Sequence, residues 1–171
     1  MFKDAVIDNT GKYRYLLTRT WDENLPSAVF VMLNPSTADA EIDDPTIRRC
    51  ISFAKTWGCG EIKVVNIFAY RATNPKELFK TKEPIGIENE KYIKQAITTA
   101  KFIVLAWGSS CKTIDSGYEK AKEILKNSEI YCLGITKDGF PKHPLYLKGT
   151  TALDVCEFEE IGIKVAYKKV K

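Results

Sequence analysis

Apolar residues follow two rhythms along this chain. Four short runs are almost uninterrupted: Ala28 to Leu33, Ile62 to Phe68, Phe102 to Trp107 and Ile130 to Ile135. Their length and their β-branched and aromatic content predict strands buried on both faces. Between the runs, apolar residues recur at helical spacing. They are Ile47, Cys50, Ile51, Ala54 and Trp57, then Tyr92, Ile93, Ala96 and Ile97 within a helix predicted from Glu88 to Ala100. A third helix is predicted from Ser116 to Lys126. Asp44-Pro45 opens the first helix, with Asp44 as N-cap and Pro45 at the first helical position. Gly58 and Gly60 close it. Ahead of all this, Ala5-Val6-Ile7 and Tyr13 to Leu17 flank a turn at Asp8-Asn9-Thr10-Gly11-Lys12, which predicts a hairpin.

Strands alternating with helices predict an α/β fold: a three-layer α/β/α domain around a central four-stranded, mostly parallel sheet, with the N-terminal β-hairpin added. One domain spans 1–171, with the hairpin at about 5–20, the core at about 28–147 and a C-terminal extension of strand-like pieces around Leu153 to Val155 and Ile163 to Tyr167. A chain of 171 residues is long enough for a substantial core.

Composition narrows the function classes. Net charge is +4, part of it in Lys164 to Lys171, which permits an anionic partner without requiring one. No apolar run approaches the roughly 20 residues of a membrane span. Met1 to Ala5 lacks the pattern of a signal peptide, so the expectation is a cytoplasmic protein with no membrane and no obligate protein partner. The five cysteines, Cys50, Cys59, Cys111, Cys132 and Cys156, form no C-x-x-C pair, and there is one histidine. That argues against structural zinc and for free thiols. No metal or organic cofactor is implied.

Candidate chemistry gathers where strands end. The first core run stops at Asn34-Pro35-Ser36-Thr37-Ala38-Asp39. In open α/β sheets ligands bind at such carboxyl ends, although Asn, Pro and Ser are also ordinary turn formers. Asn66 interrupts an apolar strand, and its amide could read a base edge or be satisfied by backbone. Phe68 could stack on a base or belong to the core, and Arg71 follows it. Trp107-Gly108-Ser109-Ser110 ends the third run and could approach a phosphate. His143 stands between Pro141 and Pro144, each of which stiffens its loop. A histidine there suits acid–base work or the stabilisation of an anion. Asp39, Asp43 and Asp44 could hold magnesium or merely cap a helix.

In this order the motifs resemble those of the uracil-DNA glycosylase superfamily: strand then Asn34-Pro35, strand then Asn66, strand then Trp107-Gly108-Ser109, strand then His143-Pro144. The resemblance covers roughly Ala28 to Leu147 and implies that family's α/β/α fold. By resemblance, Asn34 would orient the attacking water, Asn66 would read the base and His143 would stabilise the departing base. Pro35, Ser36, Phe68, Arg71, Trp107, Gly108 and Ser109 would line the substrate site. Leu145 or Leu147 would fill the space left by a flipped nucleotide. Two departures stand out. Asn34 cannot act as a general base, and Leu145-Tyr146 replaces the family's Ser-Pro after His-Pro. The phrases Met32 to Ser36 and His143 to Leu147 also resemble an uncharacterised bacterial and phage domain family. The expected function is cleavage of an N-glycosidic bond of a pyrimidine or modified base, in DNA or a nucleotide. The rivals are a non-catalytic nucleic-acid- or nucleotide-binding module and a magnesium-dependent phosphate-cleaving enzyme built on Asp39, Asp43 and Asp44.

Overall fold

A computed structural model describes residues 1–36, 38–109, 115–159 and 162–169. Thr37, Ser110, Cys111 and the last two residues of the basic tail lie outside these. The strands are β1 (Phe2–Ile7), β2 (Arg14–Thr20), β3 (Ser27–Met32), β4 (Glu61–Asn66), β5 (Ala100–Leu105), β6 (Ile130–Cys132), β7 (Asp154–Phe158) and β8 (Ile163–Lys169). The helices are α1 (Pro45–Thr56), α2 (Asn89–Thr98) and α3 (Asp115–Leu125).

All eight strands form one sheet in the order β1-β2-β4-β3-β5-β6-β7-β8. This corrects the predicted α/β/α arrangement around a four-stranded, mostly parallel sheet. The sheet is mixed. β1–β2, β2–β4, β6–β7 and β7–β8 pair antiparallel, while β3–β4, β3–β5 and β5–β6 pair parallel. The reason is physical. Periodicity reports which face a residue buries, and it does not report which strand lies alongside. The hairpin continues the sheet by setting Leu17 against Val64 and Arg19 against Ile62. The C-terminal pair does the same by setting Val155 against Tyr131.

Every residue of β3 is buried, as a strand covered on both faces requires. Val29, Val31 and Leu33 join a cluster with Ile93 and Ala96 of α2 and Ala121 and Leu125 of α3. Ala28, Phe30 and Met32 join the opposite cluster with Ile47, Ile51 and Phe53 of α1. The chain therefore leaves β3 toward one face and leaves β4 and β5 toward the other. That divergence opens a crevice at the carboxyl end of β3.

Local signals act as their chemistry dictates. The Asp44 carboxylate accepts the Ile47 N–H at 2.8 Å, one of the donors a helix start leaves unpaired. Gly58 takes φ +71° just past α1, and the Cys59 N–H returns to the Ala54 carbonyl. Gly60 has a different task. A Cβ there would sit 1.9 Å from the Asp22 carbonyl oxygen, so glycine lets the loop before β3 lie against the turn into β4.

Candidate functional site

The loops after β3 and β4 are zipped together by backbone. Ile67 N–H donates to Met32 O, Phe68 N–H to Leu33 O and Ala72 N–H to Pro35 O at 2.8–2.9 Å. The Asn34 amide adds two bonds, its Nδ2 donating to Ala72 O at 2.7 Å and Pro35 O at 3.1 Å. This fixes the amide plane and leaves Oδ1 without a protein donor among the described residues. On the other side of the crevice, Gly108 N–H donates to Pro141 O at 2.9 Å and ties the loop after β5 to the histidine loop. Gly108 has φ +73°, and a Cβ there would lie 3.5 Å from His143 Cβ.

A cavity of about 240 Å³ lies between these loops. Asn34, Ser36, Thr73, Trp107 and His143 contribute to its wall, with Met32 and Leu33 at the strand end. It holds roughly eight waters, and a single heterocycle fits it better than a whole nucleotide.

Its polar groups are arranged around unmet bonds. Trp107 is buried, and its indole N–H has no protein acceptor among the described residues. Leaving such a donor unpaired costs about 1–3 kcal/mol. The half-buried His143 accepts the Leu145 N–H on Nδ1 at 3.3 Å, which caps a short 3-10 turn at Pro144–Tyr146. That bond places the ring proton of the neutral tautomer on Nε2. Burial lowers the His143 pKa, and the Asp44 charge acts in the opposite sense. The cavity wall therefore carries Asn34 with an uncommitted Oδ1, His143 with its ring proton on Nε2, and Trp107, whose indole N–H is buried.

The structure brings together Asn34, Ser36, Trp107 and His143, all named from the sequence. Pro35 is buried behind them, and its carbonyl accepts two of the bonds just described. Asn66 does not line the cavity. Its side chain is buried with Oδ1 unpartnered, and its carbonyl accepts from Asn89 Nδ2 at 2.9 Å. Phe68 is fully buried in the core beneath α3, where a Cβ on Gly117 would meet its ring at 2.2 Å. Ser109 is exposed at the rim of the fold, and Leu145 is half-buried in the histidine turn. Leu147 packs against the core, and the exposed side chain of that turn is Tyr146.

Arg71 lies next door, in a second cleft of about 390 Å³ that shares Ser36, Ala72 and Thr73 with the cavity. The three aspartates are engaged in local structure. Asp44 caps α1, Asp43 pairs with Arg19 at 2.6 Å and Lys3 at 3.2 Å, and Asp39 accepts the N–H groups of Glu41 and Ile42. Among the described residues no group of three His, Cys, Asp or Glu side chains is placed to hold a metal ion.

Sequence reasoning missed Lys12, Thr73 and Arg14. Arg14 is 3% exposed, donates to Ala38 O at 2.6 Å and keeps its Nε unpartnered. An arginine between two tyrosines in a hairpin strand reads as an outward-facing residue, whereas β2 is covered along most of its length. A larger cleft of about 690 Å³ lies at the other end of β5, walled largely by residues 149–154. It lacks the convergence of strand carboxyl ends that the smaller cavity has.

No curated protein and no solved structure matches the chain, and the glycosylase resemblance rests on its motifs alone. A family model does match it, over residues 14–145, from the start of β2 to the histidine turn. The chain belongs to that family, described as a protein of unknown function (DUF1643).

Proposed function

We propose that the cavity binds a pyrimidine or related heterocycle and that the protein cleaves its N-glycosidic bond. The observation that carries this reading is the convergence of Asn34, Trp107 and His143 on one base-sized space, with the Trp107 indole N–H buried and without an acceptor among the described residues. A ring carbonyl satisfies the indole N–H. When the bond from the sugar carbon to the ring nitrogen breaks, its electron pair stays on the base. His143 Nε2–H then faces the charge that develops, which is the electrostatic stabilisation such a step needs. Asn34 accepts a hydrogen bond from the water that adds to the sugar carbon, and the water's proton ends on the departed base. No carboxylate lines the cavity among the described residues, so the water is positioned rather than deprotonated, and turnover is slow.

That same lack of a carboxylate supports a second reading, a pocket that binds a base without chemistry. The test is base release in EDTA from single- and double-stranded oligonucleotides carrying uracil, mismatches or modified pyrimidines, read as abasic sites. Asn34→Ala and His143→Ala run alongside. Release that disappears in both variants supports cleavage. Heterocycle binding without release from any substrate leaves the binding module.

A further inference from the structure

We propose that the cleft between the hairpin turn and the loop after β4 is a phosphate-binding subsite, with Lys12, Arg71 and Ser36 as donors. The proposal rests on the base-binding reading above for what the phosphate belongs to: the nucleotide whose base fills the adjoining cavity. The two spaces adjoin, sharing Ser36, Ala72 and Thr73 in their walls, so the phosphate of a bound nucleotide lies within reach of the second.

Arg71 is set in place by the turn. Its backbone N–H donates to Lys12 O at 2.8 Å, and its Nη1 donates to Gly11 O at 3.1 Å. Its Nε is buried and unpartnered. Its Nη2 makes no hydrogen bond to the described residues, so a guanidinium anchored at one corner keeps a donor for a phosphate. The exposed Lys12 ammonium has no ion-pair partner among the described residues and adds a second positive charge to the same wall. Ser36 brings a hydroxyl between the two spaces. Two cations match a phosphate dianion better than a carboxylate. Arg14 strengthens the field from behind: it is buried with an unpartnered Nε, and its charge and that of Arg71 repel each other. Among the described residues Glu77 is the one carboxylate in the wall, and it pairs with neither cation.

Calorimetric titration of the full chain with inorganic phosphate, thymidine, thymidine 5′-monophosphate and a short oligothymidylate tests this. The expected result is salt-sensitive phosphate binding, with the monophosphate at least tenfold tighter than the nucleoside. Lys12→Ser and Arg71→Gln each weaken phosphate and monophosphate binding at least fivefold and leave thymidine binding unchanged, whereas Glu77→Gln tightens phosphate binding severalfold. Lys12 is exposed on a turn, so its variant reports binding without a folding defect. A free nucleotide is the source if the monophosphate binds as tightly as the oligonucleotide, and a strand backbone is the source if the oligonucleotide is much tighter. Equal affinity for nucleoside and nucleotide, or phosphate binding untouched by Lys12→Ser and Arg71→Gln, overturns the subsite. Base release is read separately, so failure of the activity with phosphate binding intact removes the glycosylase reading and spares the subsite.

Discussion

Arg14 and Arg19 stand five residues apart on β2, and both are buried, yet the protein treats them differently. Arg19 spends every donor it has. Its Nε pairs with Asp43 at 2.6 Å, its Nη1 reaches Asp4 O and Thr18 O, and its Nη2 reaches Asp39 O and Ile42 O. It joins the hairpin to the loop before α1. Among the described residues the Arg14 side chain makes one bond, to Ala38 O, and its buried Nε has no acceptor. Burial presses its pKa down to about 10, against the pull of the Asp44 charge. A charge with its bonds completed is architecture, while a charge kept buried at a cost adds to the positive field around Arg71. The same strand therefore supports the fold at one end and the candidate site at the other.

The largest expected effect breaks the architectural end. Arg19→Met strips Asp43 of its closest partner and leaves several carbonyls without a donor. We expect a loss of about 3–5 kcal/mol in urea denaturation, the range for removing one partner of a buried pair. Asp44→Ala comes next, at about 1 kcal/mol, because it removes the side-chain cap of α1. Arg14→Met should then fall within about 1 kcal/mol of the parent, since an apolar side chain replaces a penalised charge and, among the described residues, one side-chain bond to Ala38 O is lost. A loss as large as that of Arg19→Met would abolish the distinction between the two ends. The sign of the Arg14 shift agrees. A guanidinium whose folded pKa lies below its unfolded one costs stability at neutral pH, and that cost is relieved only as pH rises through about 10.

His143 gives a smaller effect in a different window. Its folded pKa lies below the ordinary value near 6.5, so the unfolded chain binds the proton first. Its stability contribution is present above that value and is lost as pH falls below it. His143→Asn keeps an acceptor for Leu145 and should flatten the decline in urea midpoint between pH 6.5 and 5.5, relative to the parent. The smallest expected change is at Asp44→Asn, which retains a capping oxygen but removes a charge. The His143 pKa, read from its ring resonances, should fall further, because the Asp44 charge is what holds it up.

What the sequence disclosed follows the same division between local and non-local information. Asp44-Pro45 announced a helix start because capping is settled within four residues. The run from Ala28 to Leu33 announced a strand buried on both faces because an uninterrupted apolar stretch of strand length is a local feature. Asn34 and His143 were legible because stiff loops at strand ends are local features. Pairing was not legible: nothing in Tyr13 to Leu17 says that β2 lies against β4. Asn66 shows the same limit within the site. Its position marked a strand end, but its side chain is buried and does not line the cavity. Arg14 and Lys12 belong to the hairpin, which joins the site only through the folded sheet.

The placement of β2 also bears on how the chain can be trimmed. β4 is flanked by β3 on one side and β2 on the other. A chain shortened to begin at Ser27 would lose more than an appendage. It would expose the backbone donors and acceptors of Ile62 to Val64 as a raw sheet edge, with no bulge or proline to blunt it. Such an edge recruits another strand, so a fragment that kept every cavity residue from Asn34 to His143 would be expected to self-associate.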